Sequence, residues 1–367
     1  MPASVGPIWA DIRPRAADSR TICWVCAMPN GRQATLIIWF GGMSALIGLT
    51  VWSGADLVGR AIVSAGWATA LVVVARVVAV AGAGAGWWLL FPRELRPSVS
   101  ACVLLRFVRE ATNALLPLAQ IGGDFIGARC LTLHGVRGMV AAASVIVDVL
   151  MQAATQLVFA IVGLVLLVAM GGNELVAWPI AIGVALAIPA LAGFFVIQGE
   201  RGQRLAKKLL SLVAGDRHWQ AFGAIDDLFV RLGAFYGYRG GLLRSFFWHL
   251  ASWFVGATEV WIVLHFMGYP VSFEQAVIIE SLLHAVRGAA FAVPGALGAQ
   301  EGGLIVLCAI FGVPPEAAIA LSLVKRIPDL VVGVPGLIAW QTMEGWHFHS
   351  RRRPRPAASK MTGLEEQ

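Results

Sequence analysis

Apolar stretches of about 20 residues recur along this chain, and each is long enough to carry an α-helix across a bilayer. Of the 367 residues, 58% are hydrophobic and 13% charged, and the mean hydropathy is +0.75. Soluble domains carry about 25% charged residues. The pattern predicts an all-α, polytopic integral membrane helical bundle. Full crossings are expected near 34–52, 66–91, 138–170, 174–197, 245–267 and 316–342. Residues 1–33 read as a cytoplasmic tail with four arginines and no signal-peptide core, 34–345 as the transmembrane domain, and 346–367 as a basic cytoplasmic tail.

Two further apolar pieces, 100–135 and 272–311, are interrupted. The first contains R-F-V-R-E-A-T-N-A-L-L-P-L-A-Q-I-G-G-D (106–124) and the second E-S-L-L-H-A-V-R-G-A-A-F-A-V-P-G-A-L-G-A-Q-E (280–301). Proline and glycine at membrane depth free backbone groups that lipid cannot satisfy. Pro117, Gly122 and Gly123 mark the first break, and Pro294, Gly295 and Gly298 the second. Each piece reads as a re-entrant helix pair that enters and leaves on one side.

The distribution of Lys and Arg sets the orientation. Loops 92–99 and 198–244 and the C-terminal tail are basic, whereas 171–173 and 268–271 carry no charge and 53–65 has only Arg60 among its basic residues. Both termini are therefore expected in the cytoplasm. The net charge of +7 then reports orientation and anionic lipid, with no role for nucleic acid. Within 198–244, leucines at helical spacing beside Arg204, Lys207 and Lys208 suit helices on the inner membrane surface or a helical hairpin between crossings.

The broken pieces resemble each other. Pro117 and Pro294 are 177 residues apart, and the same offset relates Asp124 to Glu301, Gly135-Val136 to Gly312-Val313, and Val147 to Val324. Arg109 and Arg287 match with one extra residue. Three crossings between the copies predict opposite orientations, hence an inverted repeat, a recurrent design of secondary transporters.

Polar residues on these pieces are the candidate site. Arg106, Arg109 or Glu110, Asn113 and Pro117 share one helix face, as do Glu280, His284 and Arg287. Guanidinium groups match phosphate, and Glu110 and Glu280 could balance them without ligand; buried ion pairs that only hold helices in register are the alternative. Asp124 and Glu301 follow the breaks, where a carboxylate caps free N–H groups or titrates during transport. Gln120 and Gln300 add amides. Lys325, Arg326 and Asp329 lie on the last crossing, with Asp329 spaced to pair with either cation. Asp148 or Glu259 could meet the remaining cation.

Other chemistry is missing from the pattern. Cys23 and Cys26 have no second ligand pair, no His/Cys/acid spacing forms a metal site, and no phosphate loop or nucleophile elbow occurs. No metal or other cofactor is expected. The A-G-A-G-A-G run at 81–86 fits close helix packing.

The runs R-E-A-T-N-A-L-L-P-L-A-Q-I-G-G-D (109–124), V-P-G-A-L-G-A-Q-E-G-G (293–303) and G-V-P-P-E-A-A-I-A-L-S-L-V-K-R-I-P-D-L (312–330) resemble the signatures of flippase-like membrane proteins related to the transmembrane region of lysylphosphatidylglycerol synthase. The variants I-E-S-L-L-H-A-V-R-G-A-A-F and A-L-S-L-V-K-R look closest to the bacterial branch associated with hopanoid biosynthesis. The resemblance covers about residues 34–345 and falls on Arg109, Asn113, Pro117, Gly123, Asp124, Pro294, Gly295, Gly298, Glu301 and Arg326. Pro328 stands where that family usually has an arginine. The resemblance implies an inner-membrane protein that moves or delivers a lipid, hopanoid or phospholipid, with hopanoid-biosynthesis enzymes as partners. It implies no aminoacylation, since no soluble transferase domain accompanies these residues. A lipid-modifying membrane enzyme and a small-anion carrier are the alternatives.

Overall fold

The structure is a computed structural model, and it describes residues 63, 66–116, 122–171, 174–200, 202–205, 208, 218–289, 296 and 298–352. Ten helices of eight residues or more are named among them: α1 (Ala68–Leu89), α2 (Val99–Leu115), α3 (Gly122–Leu133), α4 (Gly138–Ala169), α5 (Glu174–Ile197), α6 (His218–Gly237), α7 (Arg239–Phe266), α8 (Phe273–Ala289), α9 (Ala299–Ala309) and α10 (Pro315–Arg352). No strand occurs among the described residues. The protein is an all-helical bundle, and α1, α4 and α7 are long and apolar enough to cross a bilayer. The crossing read at 34–52 lies outside the described residues. The crossing read at 174–197 is α5, and that read at 316–342 lies within the longer α10.

The two broken pieces each become a pair of helices with a gap between them. Ser98 caps α2 by accepting from the Ala101 N–H at 3.2 Å. The chain turns extended at Leu116, and α3 begins at Gly122. Pro117, Gln120, Pro294 and Gly295 lie outside the described residues. Gly298, at φ +74°, opens α9, and Glu301 accepts its N–H at 2.7 Å.

Helix boundaries repeat at the offset of 177. α3 and α9 begin at 122 and 299, α4 and α10 at 138 and 315, and α1 and α7 end at 89 and 266. The turns after α3 and α9 are the same Schellman motif. Gly135 and Gly312 have φ of +85° and +74°. Val136 N–H donates to Leu131 O and Gly135 N–H to Thr132 O; Val313 to Cys308 and Gly312 to Ala309 repeat both bonds. Helices α1–α4 and α7–α10 are therefore two copies of one unit.

The copies pack head to tail. Along α1 and α7, Arg76 meets Glu259, Gly82 faces Ser252 and Gly86 faces His249, so these equivalent helices run antiparallel. Their equivalent points meet near Ala79 and Gly256. The exchanged pairs behave alike. Gly333 and Gly336 of α10 lie against Leu115 and Ala111 of α2, and Gly163 and Gln156 of α4 against Leu282 and Gly288 of α8. The A-G-A-G-A-G run lets α1 approach α2. A Cβ at Gly84 would lie 2.7 Å from the Val103 Cα.

Two apolar cores sit at opposite ends of α1. One gathers Ala68 and Val72 with Val260, Leu264, Ile278 and Leu321; the other gathers Trp87, Leu90 and Phe91 with Leu105, Val147 and Phe235. Outward faces stay apolar, with Val74, Val78, Leu186 and Phe247 exposed while Asp148, Glu259, Glu280 and Lys325 are buried. Charge inside and valine outside is the polarity that lipid selects.

The stretch read as a surface segment, 198–244, divides differently. α6 turns one face inward, with Leu232 and Phe235 buried and the Phe235 ring edge-on to Phe91 at 5.6 Å. Residues 239–244 already belong to α7. Apolar spacing found the helix, but the arginines at 239 and 244 hid the start of the next one. The α10 helix likewise runs on to Arg352, into the stretch read as tail.

Candidate functional site

Charged side chains gather in two clusters. In the first, Arg109 of α2 is 2% exposed and lies between two acids. Its Nη2 is 2.6 Å from Asp124 and its Nη1 2.6 Å from Asp148. Gly127 makes room, since a Cβ there would meet the Arg109 side chain at 2.6 Å, and the Trp87 ring lies 4.9 Å from the guanidinium. Asp148, fully buried on α4, also faces His249 Nε2 at 2.9 Å and Arg106 at 3.6 Å, and accepts from Gln152 at 2.7 Å. Arg106 continues to Glu110 at 3.5 Å. Asn113 accepts the Gly123 N–H at 2.8 Å, which caps a donor at the start of α3.

In the second cluster, Lys325 of α10 lies 2.7 Å from Glu280 and 3.3 Å from Glu259. Arg76 of α1 forks onto Glu259 through two bonds of 2.8 Å and reaches Asp329 at 2.8 Å. His284 lies 3.2 Å from Glu280, with the Trp253 ring 4.6 Å away. Nearby, Glu301 joins Arg326 at 2.6 Å and accepts from Ser322 at 2.9 Å, and Gln300 donates to Ser322 at 2.9 Å.

Several pairings differ from those the spacing suggested. Asp329 bonds Arg76, and neither cation of its own helix lies within ion-pair distance of it. Lys325 is taken by two acids from other helices, and Arg326 by Glu301. Glu280 balances Lys325 instead of Arg287, and Arg109 draws its acids from α3 and α4 instead of Glu110. Arg76, Asp148, Glu259, Asp329 and His249 are central here and were outside the candidate set. Their signal was an ionisable residue inside an apolar run.

The repeat relates the two clusters. Asp148 and Lys325, each the hub of its cluster, are 177 residues apart. So are Glu110 and Arg287. The packing follows this register: Gly127 rests on Arg109, while Gly303 rests on Leu283 and Val286. Val286 thus stands where Arg109 stands in the first copy, and Arg287 answers to Glu110. The match of Arg109 with Arg287 was one of residue type.

Glu110 and Arg287 sit between the clusters. Gly84 packs on Val103 and Arg106, so the level of Ala79, where the copies meet, falls near Glu110 on α2 and near Arg287 on α8. Glu110 lines a small cleft with Arg76, Pro328, Asp329 and Gly333, and it feels the charges of Arg106, Arg76, Arg287 and Arg109. Arg287 is half-buried, and no carboxylate among the described residues lies within 4.0 Å of it.

The comparisons with known proteins place this geometry. The family described as "Lysylphosphatidylglycerol synthase TM region" matches residues 35–336. A "UPF0104 membrane protein" from Methanothermobacter thermautotrophicus is 31% identical over 140 residues, which is 35% of this chain. The match spans 40% of that relative's length. No solved structure matches.

Proposed function

Because this chain belongs to the lysylphosphatidylglycerol synthase transmembrane-region family, a family of membrane proteins linked to lipid handling, we propose that it moves a membrane lipid between leaflets. The observation that carries the reading is the antiparallel packing of two copies of one broken-helix unit, with a charged cluster on each side of their common midpoint. Two packed halves of the same design have two pseudo-equivalent arrangements, which is the mechanical requirement for alternating access. In this reading α2–α3 and α8–α9 are re-entrant pairs dipping in from opposite sides. The charged clusters form the seams that part in turn. Arg106, Glu110, His284 and Arg287 face the head group, and Arg109, Asp124, Glu301 and Arg326 hold the helices that carry them.

Location in the bacterial inner membrane with both termini in the cytoplasm follows from the loop charges. The motif variants at 279–291 and 320–326 support a link to hopanoid biosynthesis, with a hopanoid or a phospholipid as cargo. The test is reconstitution. Purified protein in liposomes should speed the exposure of a fluorescent inner-leaflet lipid to an impermeant quencher. Lipid profiles of a deletion strain separate the other classes: a missing product indicates a lipid-modifying enzyme, and a normal but misplaced lipid indicates transport.

A further inference from the structure

We propose that Arg287 binds the phosphate of the lipid head group at the midpoint of the bundle, so that the cargo is a phosphate-bearing lipid. The inference rests on the translocase reading and narrows its cargo. Arg76, Arg106, Arg109, Lys325 and Arg326 each have a carboxylate within 4.0 Å. Among the described residues Arg287 has none. The acids around it are committed elsewhere. Glu280, two turns earlier on the same helix, holds Lys325 and His284, Glu259 holds Arg76 and Lys325, and Glu110 pairs with Arg106.

Position makes the missing partner matter. A pseudo-twofold axis that relates inverted halves lies in the membrane plane, so the Glu110–Arg287 level is the bilayer centre. A cation there without a counter-charge is costly, and arginine at such a depth serves an anion or a wet cavity. A planar fork of N–H donors fits phosphate oxygens in pairs. Glu110, opposite at the equivalent place, keeps the local positive charge moderate, so the anion can enter and leave. A lipid without phosphate leaves Arg287 uncompensated and is a poor cargo.

The test uses full-length protein in detergent, titrated calorimetrically with dihexanoylphosphatidylglycerol, dihexanoylglycerol and inorganic phosphate. Binding is expected for the phospholipid alone. Arg287→Gln should weaken it about tenfold or more while the melting temperature holds, because no ion pair is lost. Arg287→Lys should fall between the two, keeping charge and losing the fork. Equal binding of dihexanoylglycerol, equal binding of inorganic phosphate, or unchanged affinity in either variant overturns the proposal. Phospholipid binding through Arg287 without lipid movement in liposomes leaves the site standing and removes the translocase reading. Movement of a neutral lipid with no phospholipid binding does the reverse.

Discussion

Asp148 and Lys325 occupy the same place in the two copies, 177 residues apart, and carry opposite charges. Each is buried and each is the hub of its cluster. The copies have thus kept one scaffold and inverted its central charge. Arginines gather around the acid in one half, and carboxylates around the lysine in the other.

Removing either hub should cost more than the bonds it makes. Asp148→Ala leaves Arg109 with Asp124 alone, and Lys325→Ala leaves Glu259 and Glu280 close together without their shared cation. Breaking a buried pair costs about 3–5 kcal/mol. Both variants are expected to melt far below wild type in detergent or to be lost from the membrane. Normal melting in both would remove the clusters from the account of stability.

Arg109 and Arg287 should separate in behaviour. Arg109→Ala is expected to lower the amount of folded protein, since two buried acids lose their partner. Arg287→Ala should reach normal levels and lose lipid movement. Membrane protein level and transport, measured on the same preparations, read both effects. Equal losses of level in both variants would contradict the distinction.

The α1–α2 contact depends on a missing side chain. At Gly84 a Cβ would press on the Val103 backbone at 2.7 Å. Gly84→Leu should destabilise by about 1–3 kcal/mol or more through overpacking, read as a lower melting temperature. Gly183→Leu on α5, with open space around the glycine, is the control.

Topology is open to labelling. In a cysteine-free background, Pro270→Cys should react with an impermeant thiol reagent from outside, and Arg204→Cys should not. Both positions are exposed. External labelling of position 204 would reverse the orientation.

The sequence made the scaffold legible and the pairings much less so. Helix existence followed from apolar length, and the repeat from Asp124/Glu301 and Gly135-Val136/Gly312-Val313, because turn chemistry and helix starts are local. The ion pairs join helices far apart in the chain, such as Arg76 with Glu259 and Lys325 with Glu280. Spacing along one helix suggested Asp329 with Lys325, and packing chose Arg76 instead. Residue type suggested Arg109 with Arg287, and the packing register chose Glu110 as the equivalent of Arg287.

The central claim is that two inverted halves carry a phosphate-bearing lipid past Arg287. The most direct measurement is fluorescent phosphatidylglycerol in liposomes containing wild type or Arg287→Gln, with an impermeant reductant added outside. Wild type is expected to expose the inner-leaflet pool, and the variant to retain it as protein-free liposomes do. Retention of the inner pool by wild type, or equal exposure by the variant, would contradict the account.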